Sequence, residues 1–158
     1  MASGTEIVCQ ADPKGTFLEG IVSGTPKPGT WMEIVPGVAP VNGRYTWRAR
    51  TAQHGVKRLN VILREDHLQG KTASDAYVSG TRCFLYVPQE GEELNALIQY
   101  QAGTGTSADD DIGERLEINY GGMLQGVVTS TNDAPCILLE NIDTAFTSDY
   151  LALVMYVG

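Results

Sequence analysis

The fold class is decided by residues 82–100, which read RCFLYVPQEGEELNALIQY. Two apolar or alternating runs, Arg82–Val87 and Leu94–Tyr100, stand on either side of the turn-forming residues Glu90-Gly91-Glu92. Runs of this length, bounded by proline and glycine, are typical of short β-strands rather than of amphipathic helices. The stretch therefore predicts two strands joined by a turn.

The same pattern extends from this stretch toward both ends of the chain. Nine further runs are apolar or alternating and are separated by turn-forming residues: Glu6–Gln10, Phe17–Ser23, Trp31–Val35, Tyr45–Arg50, Leu59–Arg64, Arg115–Asn119, Met123–Thr129, Cys136–Glu140 and Tyr150–Val157. Short strands at this spacing predict an all-β protein, organised as a single compact β-barrel or β-sandwich domain. Val41-Asn42-Gly43-Arg44 predicts a hairpin, because Asn-Gly supplies the positive φ angles of a type I′ turn.

The chain has 158 residues, the length of one ordinary domain. Residues 1–16 are mostly small or polar, so we predict an extended N-terminal arm there and a β domain over residues 17–158. Residues 65–80 form a polar excursion, and loops of this length are uncommon without a role in binding or assembly. Pro28–Ile34 and Gly113–Ile118 each place a glycine before an alternating strand. We interpret both as barrel corners rather than as a duplication.

Charge is unevenly distributed along the chain. The net charge is −8, but residues 1–79 carry nine basic and seven acidic residues, whereas residues 80–158 carry two basic and twelve acidic residues. If the two halves stay apart in space, they create faces of opposite sign that could dock one copy onto a neighbour or a partner. If they mix, the surface is simply acidic. A pI near 4.6 argues against nucleic-acid binding in either case.

Membrane and secretory features are absent from the sequence. No run approaches the roughly 20 apolar residues of a transmembrane helix, and residues 1–6 have neither the basic flank nor the apolar stretch of a signal peptide. The three cysteines, Cys9, Cys83 and Cys136, form no C-x-x-C pair, and each is flanked by apolar residues. We expect them to be free and buried in a protein made in a reducing cytosol, with no membrane contact.

Residues with catalytic or metal-binding chemistry do not form a recognisable motif. His54 and His67 lack partners at metal-ligand spacing, and Asp109-Asp110-Asp111 lacks the alternation of a calcium loop. The serine in Gly20–Gly24 is one position away from a nucleophile elbow. We therefore predict that the protein is not an enzyme and holds no cofactor.

Basic residues are concentrated in residues 44–71. Seven cations lie there: Arg44, Arg48, Arg50, Lys57, Arg58, Arg64 and Lys71. They predict an electrostatic docking strip for an acidic partner, and the alternative is a solvated sheet face with stacked arginines. The predicted partner-binding residues are taken from this strip, from the arm and from nearby positions: Ile7, Val8, Phe17, Arg44, Arg48, Arg50, Lys57, Arg58, His67 and Lys71.

An ordered set of turn-and-strand motifs also resembles a known family. The motifs are Gly15–Gly20, Pro28–Ile34, Arg64–Lys71, Asp75–Cys83, Pro88–Leu94 and Ile112–Leu116. Together they resemble the small head decoration, or cement, proteins of tailed bacteriophages. Those proteins bind the outside of an icosahedral shell whose subunits have the HK97-type fold.

This resemblance implies a structural virion protein with an N-terminal arm. It implies binding to the major capsid protein on the outer capsid surface, where neighbouring capsomers are bridged, after synthesis in the host cytoplasm. It also implies self-association as a homotrimer or a dimer. The alternative hypothesis is a β-rich tail, fibre or host-receptor module of the virion, in which exposed Tyr120, Tyr150 and Tyr156 would bind a glycan.

Overall fold

The structure, a computed structural model of the chain, describes residues 6–9, 12–51, 59–99, 112–119, 121–127, 134–142 and 149–158. Within these ranges the regular elements are ten strands and one 3-10 turn, His67–Gln69. The strands are β1 (Thr16–Val22), β2 (Trp31–Ile34), β3 (Thr46–Ala49), β4 (Val61–Leu63), β5 (Arg82–Val87), β6 (Glu93–Ile98), β7 (Arg115–Ile118), β8 (Leu124–Gly126), β9 (Cys136–Leu138) and β10 (Tyr150–Tyr156). Each overlaps a run predicted as a strand, and the all-β class is confirmed.

The compact β domain contains two small closed barrels, one built by each half of the chain. The first closes in the order β1-β3-β2-β4-β5, and the second in the order β6-β8-β7-β9-β10. In each barrel the first and third strands pair in parallel. Each of the remaining pairs is antiparallel. The two halves therefore share one strand order and one set of strand directions.

This shared topology corrects one interpretation made from the sequence. Pro28–Ile34 leads into β2 and Gly113–Ile118 contains β7, and these are the second strands of their barrels. Their common pattern of a glycine before an alternating strand thus marks corresponding positions of an internal structural repeat. The pattern is too short to reveal the repeat by itself, because a glycine before a strand is common in any barrel.

Two apolar clusters fill the domain. One, inside the first barrel, includes Val61, Leu63 and Leu85. The other fills the second barrel and extends onto Trp31, Ile62 and Tyr86 of the first, so the two barrels pack against each other through a continuous core. Neighbouring residues of β4 belong to different clusters, because side chains alternate along a strand. This strand is consequently buried on both faces and carries no polar residue.

The junction between the barrels is also held by backbone hydrogen bonds. The Trp31 N–H donates to the Gly122 carbonyl at 2.8 Å, and the Leu97 N–H donates to the Gly29 carbonyl at 3.0 Å. Gly122 has a φ of +72°, and a Cβ atom there would overlap the Trp31 carbonyl oxygen. Only glycine permits this close approach of the two backbones.

The predicted N-terminal arm is not confirmed. Ile7 is completely buried and Val8 nearly so, although both were predicted to bind a partner. Val8 forms a bridge to Leu94, and the Asn95 N–H donates to the Ile7 carbonyl at 2.8 Å. The reason lies in β6, which pairs with β8 only at Ile98 and leaves the start of its edge open. Residues 7–9 occupy that edge, so this apolar run belongs to the core.

The cysteines follow the prediction only in part. All three are free, and Cys83 and Cys136 are buried as expected. Cys9 is exposed, contrary to the prediction, because Ile7 and Val8 supply the buried side chains of their segment. Apolar neighbours in the sequence therefore did not identify which side of a short extended segment faces the core.

Candidate partner-binding surfaces

Strands β2 and β3 are paired and are joined by a loop whose outermost residues are exposed. We call residues 34–45 the finger. Val41 and Arg44 exchange two backbone hydrogen bonds of 2.9 Å, and the φ angles of Asn42 and Gly43 are +50° and +76°. These are the positive angles of the type I′ turn that the Asn-Gly sequence predicted. The turn fixes the tip of the finger.

The finger presents a mostly apolar surface, and Arg44 is its one charged residue. Residues 36–43 are all exposed, and no charged residue lies between Glu33 and Arg44. Val41 is 58% exposed, and Ile34, Val38 and Tyr45 are also among the exposed large apolar side chains. Apolar side chains grouped on a protruding loop indicate an interaction site more strongly than isolated ones do. The sequence interpretation missed this site. The available signal was the pair of prolines at positions 36 and 40, which interrupt an apolar run. Proline cannot donate a hydrogen bond to a neighbouring strand, so such a run is unsuited to the interior of a sheet.

The basic residues of the first barrel are largely engaged within the chain. Arg44 lies 3.2 Å from the Glu19 carboxylate, which Arg82 also contacts. The hydrogen bond from Arg82, together with that from Arg44, holds the pKa of Glu19 below its usual value. These groups are exposed, so the network orients the side chains more than it stabilises the fold.

Arg48 and Arg50 contact polar groups on neighbouring segments. The Arg48 Nε donates to the buried Glu33 carboxylate at 2.9 Å. The Arg50 Nη1 donates to Asn60 Oδ1 at 3.0 Å, and the Asn60 amide in turn donates to the Tyr156 hydroxyl of the second barrel at 3.1 Å. The predicted docking strip therefore contributes to the internal packing as well as to the surface.

The predicted aromatic contact, Phe17, is half exposed on β1. Its ring centroid lies 4.9 Å from that of Tyr86, and the Arg64 guanidinium lies 4.6 Å from it. Stacked arginine on a sheet face was the alternative to a docking strip, and it describes Arg64 well. Phe17 and Arg64 together still leave an amphipathic patch open to a partner.

Residues 65–80 form an anchored loop rather than a free excursion. Tyr77 is buried, and its hydroxyl donates to the Arg64 carbonyl at 2.8 Å. At the other end, the Asp66 carboxylate caps the 3-10 turn by accepting the Gln69 N–H. The Tyr77 bond thus ties the loop to the residue that follows β4, and the Asp66 bond orders the 3-10 turn within it.

The outer part of this anchored loop presents His67, Leu68 and Lys71. Leu68 is 76% exposed, the largest value among the exposed large apolar side chains of the described residues. The His67 Nε2 lies 2.7 Å from a carboxylate oxygen of Glu65, whose other oxygen accepts the Ile7 N–H at 3.1 Å. We call residues 67–71 the crest. It combines the exposed Leu68 side chain with Lys71 and with His67, whose imidazole contacts the buried Glu65 carboxylate.

Two of the predicted partner-binding residues, Lys57 and Arg58, lie outside the described residues. So do His54 and the Asp109–Asp111 triplet, for which the sequence predicted no catalytic or metal-binding role. The glycan hypothesis requires Tyr120, Tyr150 and Tyr156 to be exposed. Tyr120 also lies outside the described ranges, while Tyr150 and Tyr156 are half-buried rather than exposed. The Tyr156 ring stacks on Trp31 at a centroid distance of 6.1 Å, so it serves the junction between the barrels.

The uneven charge follows the division into barrels. Residues 1–87, which contain the first barrel, carry ten basic and seven acidic residues, a net charge of +3. Residues 88–158, which contain the second, carry one basic and twelve acidic residues, a net charge of −11. Among the described residues, positions 12–87 together with 6–9 carry eight basic and seven acidic side chains, whereas positions 88–158 carry one basic and seven acidic side chains. The acidic excess of the described part of the chain therefore belongs to the half that forms the second barrel.

A cleft of about 570 Å³ lies where the two barrels meet. Its walls are mostly apolar, and two charged residues stand among them. Its lining residues are Pro26, Lys27, Thr30, Ala49, Ala73, Ser74, Leu97, Gly121, Met123, Asp149, Tyr150 and Leu151. A cleft of this size and composition could take a small ligand or a few side chains of a partner.

Comparisons with known proteins add no assignment. A scan against models of protein families finds no match for this chain, and a search among curated proteins finds no significant relative. In the part of the chain that the structure describes, no three His, Cys, Asp or Glu side chains are arranged to hold a metal ion. The same residues include no helix long and apolar enough to cross a membrane.

Proposed function

We propose that this chain is a structural virion protein that binds the outer surface of a bacteriophage capsid and bridges neighbouring capsomers. In this proposal the protein acts by binding and not by catalysis, its partner is the major capsid protein, and copies of the chain associate with one another. The functional class is inferred from the resemblance to decoration proteins. The surface proposed to contact the capsid belongs to the first barrel.

The crest is the surface that we propose binds the capsid. It lies within one of the motifs on which the resemblance rests, Arg64–Lys71. It is anchored by Tyr77 and Asp66, so its backbone is positioned before a partner arrives. A preorganised loop loses less conformational entropy on binding, and an exposed Leu68 offers apolar area for a contact. Repetition over many copies makes modest contacts of this kind sufficient to brace a shell.

The test is binding of the purified protein to shells that lack it. Saturable co-sedimentation, together with a higher temperature of DNA release from decorated particles, is the expected result. Leu68→Asp should abolish saturation, because a carboxylate would then have to be desolvated at the contact. Ile112→Asp is the matched control, since it makes the same change at an exposed apolar side chain outside the crest.

Two outcomes would contradict this proposal. Absence of saturable binding by the wild-type protein would exclude a capsid role. Equal binding by the Leu68→Asp and Ile112→Asp variants would exclude the crest as the contact. Consistent binding of the wild-type protein to a glycan array, with localisation to the tail, would favour the receptor-binding alternative.

A further inference from the structure

The first half of β1 has an open edge. The strand pairs with β5 along Thr16–Ile21 but with β3 only from Ile21 onward. The Ile21 N–H donates to the Tyr45 carbonyl at 2.9 Å on the β3 side. Backbone groups of alternate residues point to the same side of a strand, so those of Phe17 and Glu19 also face away from β5. In the described part of the chain, no strand or isolated bridge pairs with them on this side.

The segment that precedes β3 does not cover this edge. Arg44 exchanges both of its backbone hydrogen bonds with Val41, so the finger pairs with itself instead of with β1. Only the Arg44 side chain reaches across, to the Glu19 carboxylate. Phe17 is 49% exposed, and Thr16 and Glu19 are exposed as well. The start of β1 is therefore a sheet edge that faces solvent.

The internal repeat identifies the equivalent of this edge in the second barrel. The first and third strands form the parallel pair Val22↔Trp47 in one barrel and Ile98↔Leu124 in the other. In both pairs the next residue of the first strand donates its N–H to the third-strand carbonyl, at 2.7 Å and 2.9 Å. The two pairs therefore correspond. Counting back from them along each first strand aligns the open edge of β1 with the start of β6.

On β6 this position is filled by an extended segment of the chain itself. Val8 forms an antiparallel bridge to Leu94, four residues before Ile98. The Asn95 N–H donates to the Ile7 carbonyl at 2.8 Å, and the N–H of residue 9 donates to the carbonyl of residue 93 at 3.2 Å. With the segment in place, Leu94 is completely buried. The second barrel thus shows the geometry in which an added strand completes such an edge.

The same groups are present on β1 without the added strand. Leu18, four residues before Val22, corresponds to Leu94. The Glu19 N–H and the Phe17 carbonyl correspond to the two backbone groups that bind the segment on β6. Leu18 packs against the core cluster of the first barrel but is only partly buried. An apolar side chain placed opposite Leu18 would cover it, as Val8 covers Leu94.

The described residues favour a different protein over a second copy as the donor of such a strand. Ile7 and Val8 are buried on β6 of their own molecule, so donating them to a neighbour would uncover the core of the donor. The finger is exposed and apolar, but prolines at positions 36 and 40 deprive it of the N–H groups that a ladder needs.

We propose that the open edge of β1 binds an extended segment of a partner protein, which joins the first barrel as an antiparallel strand with a β-branched apolar residue opposite Leu18. Main-chain hydrogen bonds supply the attachment in this mode of recognition, and the inward-facing side chain supplies the selectivity. The inference concerns a surface separate from the crest and does not depend on capsid binding.

The probe is a capped peptide with the sequence of residues 5–10, in which serine replaces the cysteine. Titration into ¹⁵N-labelled protein is expected to give saturable NMR shifts at residues 17–19 and slower hydrogen exchange of the Glu19 amide. The control peptide carries an N-methyl group on that serine, which removes the donor to the Phe17 carbonyl. It should bind about tenfold more weakly, the effect of one lost hydrogen bond.

A pair of variants tests the same contact from the side of the protein. Glu19→Pro removes the edge N–H at a position where proline is compatible with a sheet, because the N–H faces solvent. It should weaken binding of the peptide by about tenfold or more. Glu19→Ala keeps the N–H and should bind like the wild type. Circular dichroism and denaturant midpoints establish that both are folded, and the N-methyl peptide needs no altered protein.

Four outcomes would overturn the inference. The first two are absence of saturable shifts with the peptide, and equal binding by Glu19→Pro and Glu19→Ala. The third is a set of shifts confined to residues 93–95, because the peptide would then displace residues 7–9 instead of adding to β1. The fourth is self-association by light scattering that Glu19→Pro abolishes and Glu19→Ala retains, which would make a second copy the occupant. The capsid proposal fails separately, in the sedimentation test with Leu68→Asp.

Discussion

Glu33 on β2 and Glu117 on β7 occupy corresponding positions in the two barrels. Both carboxylates are buried, and each pairs in register with a donor on the third strand of its barrel. Glu33 accepts from the Arg48 Nε at 2.9 Å, and Glu117 accepts from the Gln125 Nε2 at 2.6 Å. The repeat thus preserves a buried acceptor on the second strand while its donor differs, a guanidinium in one barrel and an amide in the other.

Glu117→Ala is expected to lower the free energy of unfolding by about 2 kcal/mol, because it removes a buried acceptor from the Gln125 amide. Denaturant titration measures the change. The matched control is Glu93→Ala, which truncates an exposed glutamate on β6 and should change stability by less than about 0.5 kcal/mol. Equal losses for the two variants would show that the buried pair adds nothing specific.

Ile7→Ala is expected to lower the free energy of unfolding by about 2–5 kcal/mol, because the side chain is fully buried and its removal leaves a cavity. Denaturant titration of the isolated protein measures the effect. Leu68→Ala, which truncates an apolar side chain exposed to solvent, is the control and should be nearly neutral. If Ile7→Ala lowered the free energy of unfolding by less than about 0.5 kcal/mol, residues 6–9 would act as a detachable arm, as the sequence predicted.

Local sequence signals predicted the strands well because strands and turns are specified by neighbouring residues. Asn42-Gly43 adopts the turn that its φ preferences require. Pairing between distant strands has no such signal: β1 pairs with β3 in parallel and with β5 in antiparallel register. Hydrophobic alternation specifies which side of a strand is buried, but it does not specify which strands share a barrel. The sequence therefore predicted a single β-barrel or β-sandwich and did not predict two barrels.

The candidate surfaces were predictable only in part, for a similar reason. The charge imbalance was visible in the sequence, but its meaning depended on whether the halves mix in space. Ile7 and Val8 looked like a short run in an arm because the open edge of β6 cannot be recognised from residues 93–98 alone. The finger was missed because its apolar residues resemble core residues until the strands around them are placed.

Lowering the pH is expected to destabilise the fold partly through Glu92. Burial by itself raises the pKa of Glu92, but hydrogen bonds from the Gln89 N–H, the Tyr86 hydroxyl and the Lys14 and Gly15 N–H groups hold it below its ordinary value of 4.5. A group whose pKa is depressed by folding stabilises the fold above its unfolded pKa. That stabilisation is lost as the pH falls through the folded pKa.

Glu92→Gln isolates this contribution. Below about pH 4.5 the wild-type protein should lose stability more steeply than the variant, because the variant has no carboxylate to protonate. Denaturant midpoints across this range give the comparison, and Glu93→Gln controls for the loss of one exposed charge. Parallel pH profiles for wild type and Glu92→Gln would contradict the assignment.

Thiol labelling should distinguish Cys9 from the other two cysteines. Burial raises the pKa of Cys83 to about 12 and also raises the pKa of Cys136. Cys9 is exposed, but partial desolvation of its sulfur and then the Glu93 charge raise its pKa to about 11. At pH 8 only about 0.1% of such a thiol is ionised, so the reaction should be slow.

The expected stoichiometry is one slowly labelled thiol in the native protein and three after unfolding. Mass spectrometry of iodoacetamide-treated protein gives both numbers, and Cys9→Ser should remove the native label. Rapid labelling of Cys83 or Cys136 in the folded protein would show that their barrels open on the time scale of the reaction.

Gly122→Ala tests the junction between the barrels, and Gly43→Ala is its matched control. The two glycines have φ angles of +72° and +76°, so an alanine at either pays the same conformational penalty, about 1–2 kcal/mol. A Cβ at position 43 meets nothing within 4 Å, whereas a Cβ at position 122 overlaps the Trp31 carbonyl. We expect Gly122→Ala to cost about 1–3 kcal/mol more than Gly43→Ala, since the backbones of the two barrels must separate. Trp31 lies at this contact, so its fluorescence should shift only in the Gly122 variant. Equal denaturant midpoints for the two variants would mean that the barrels do not depend on this close approach.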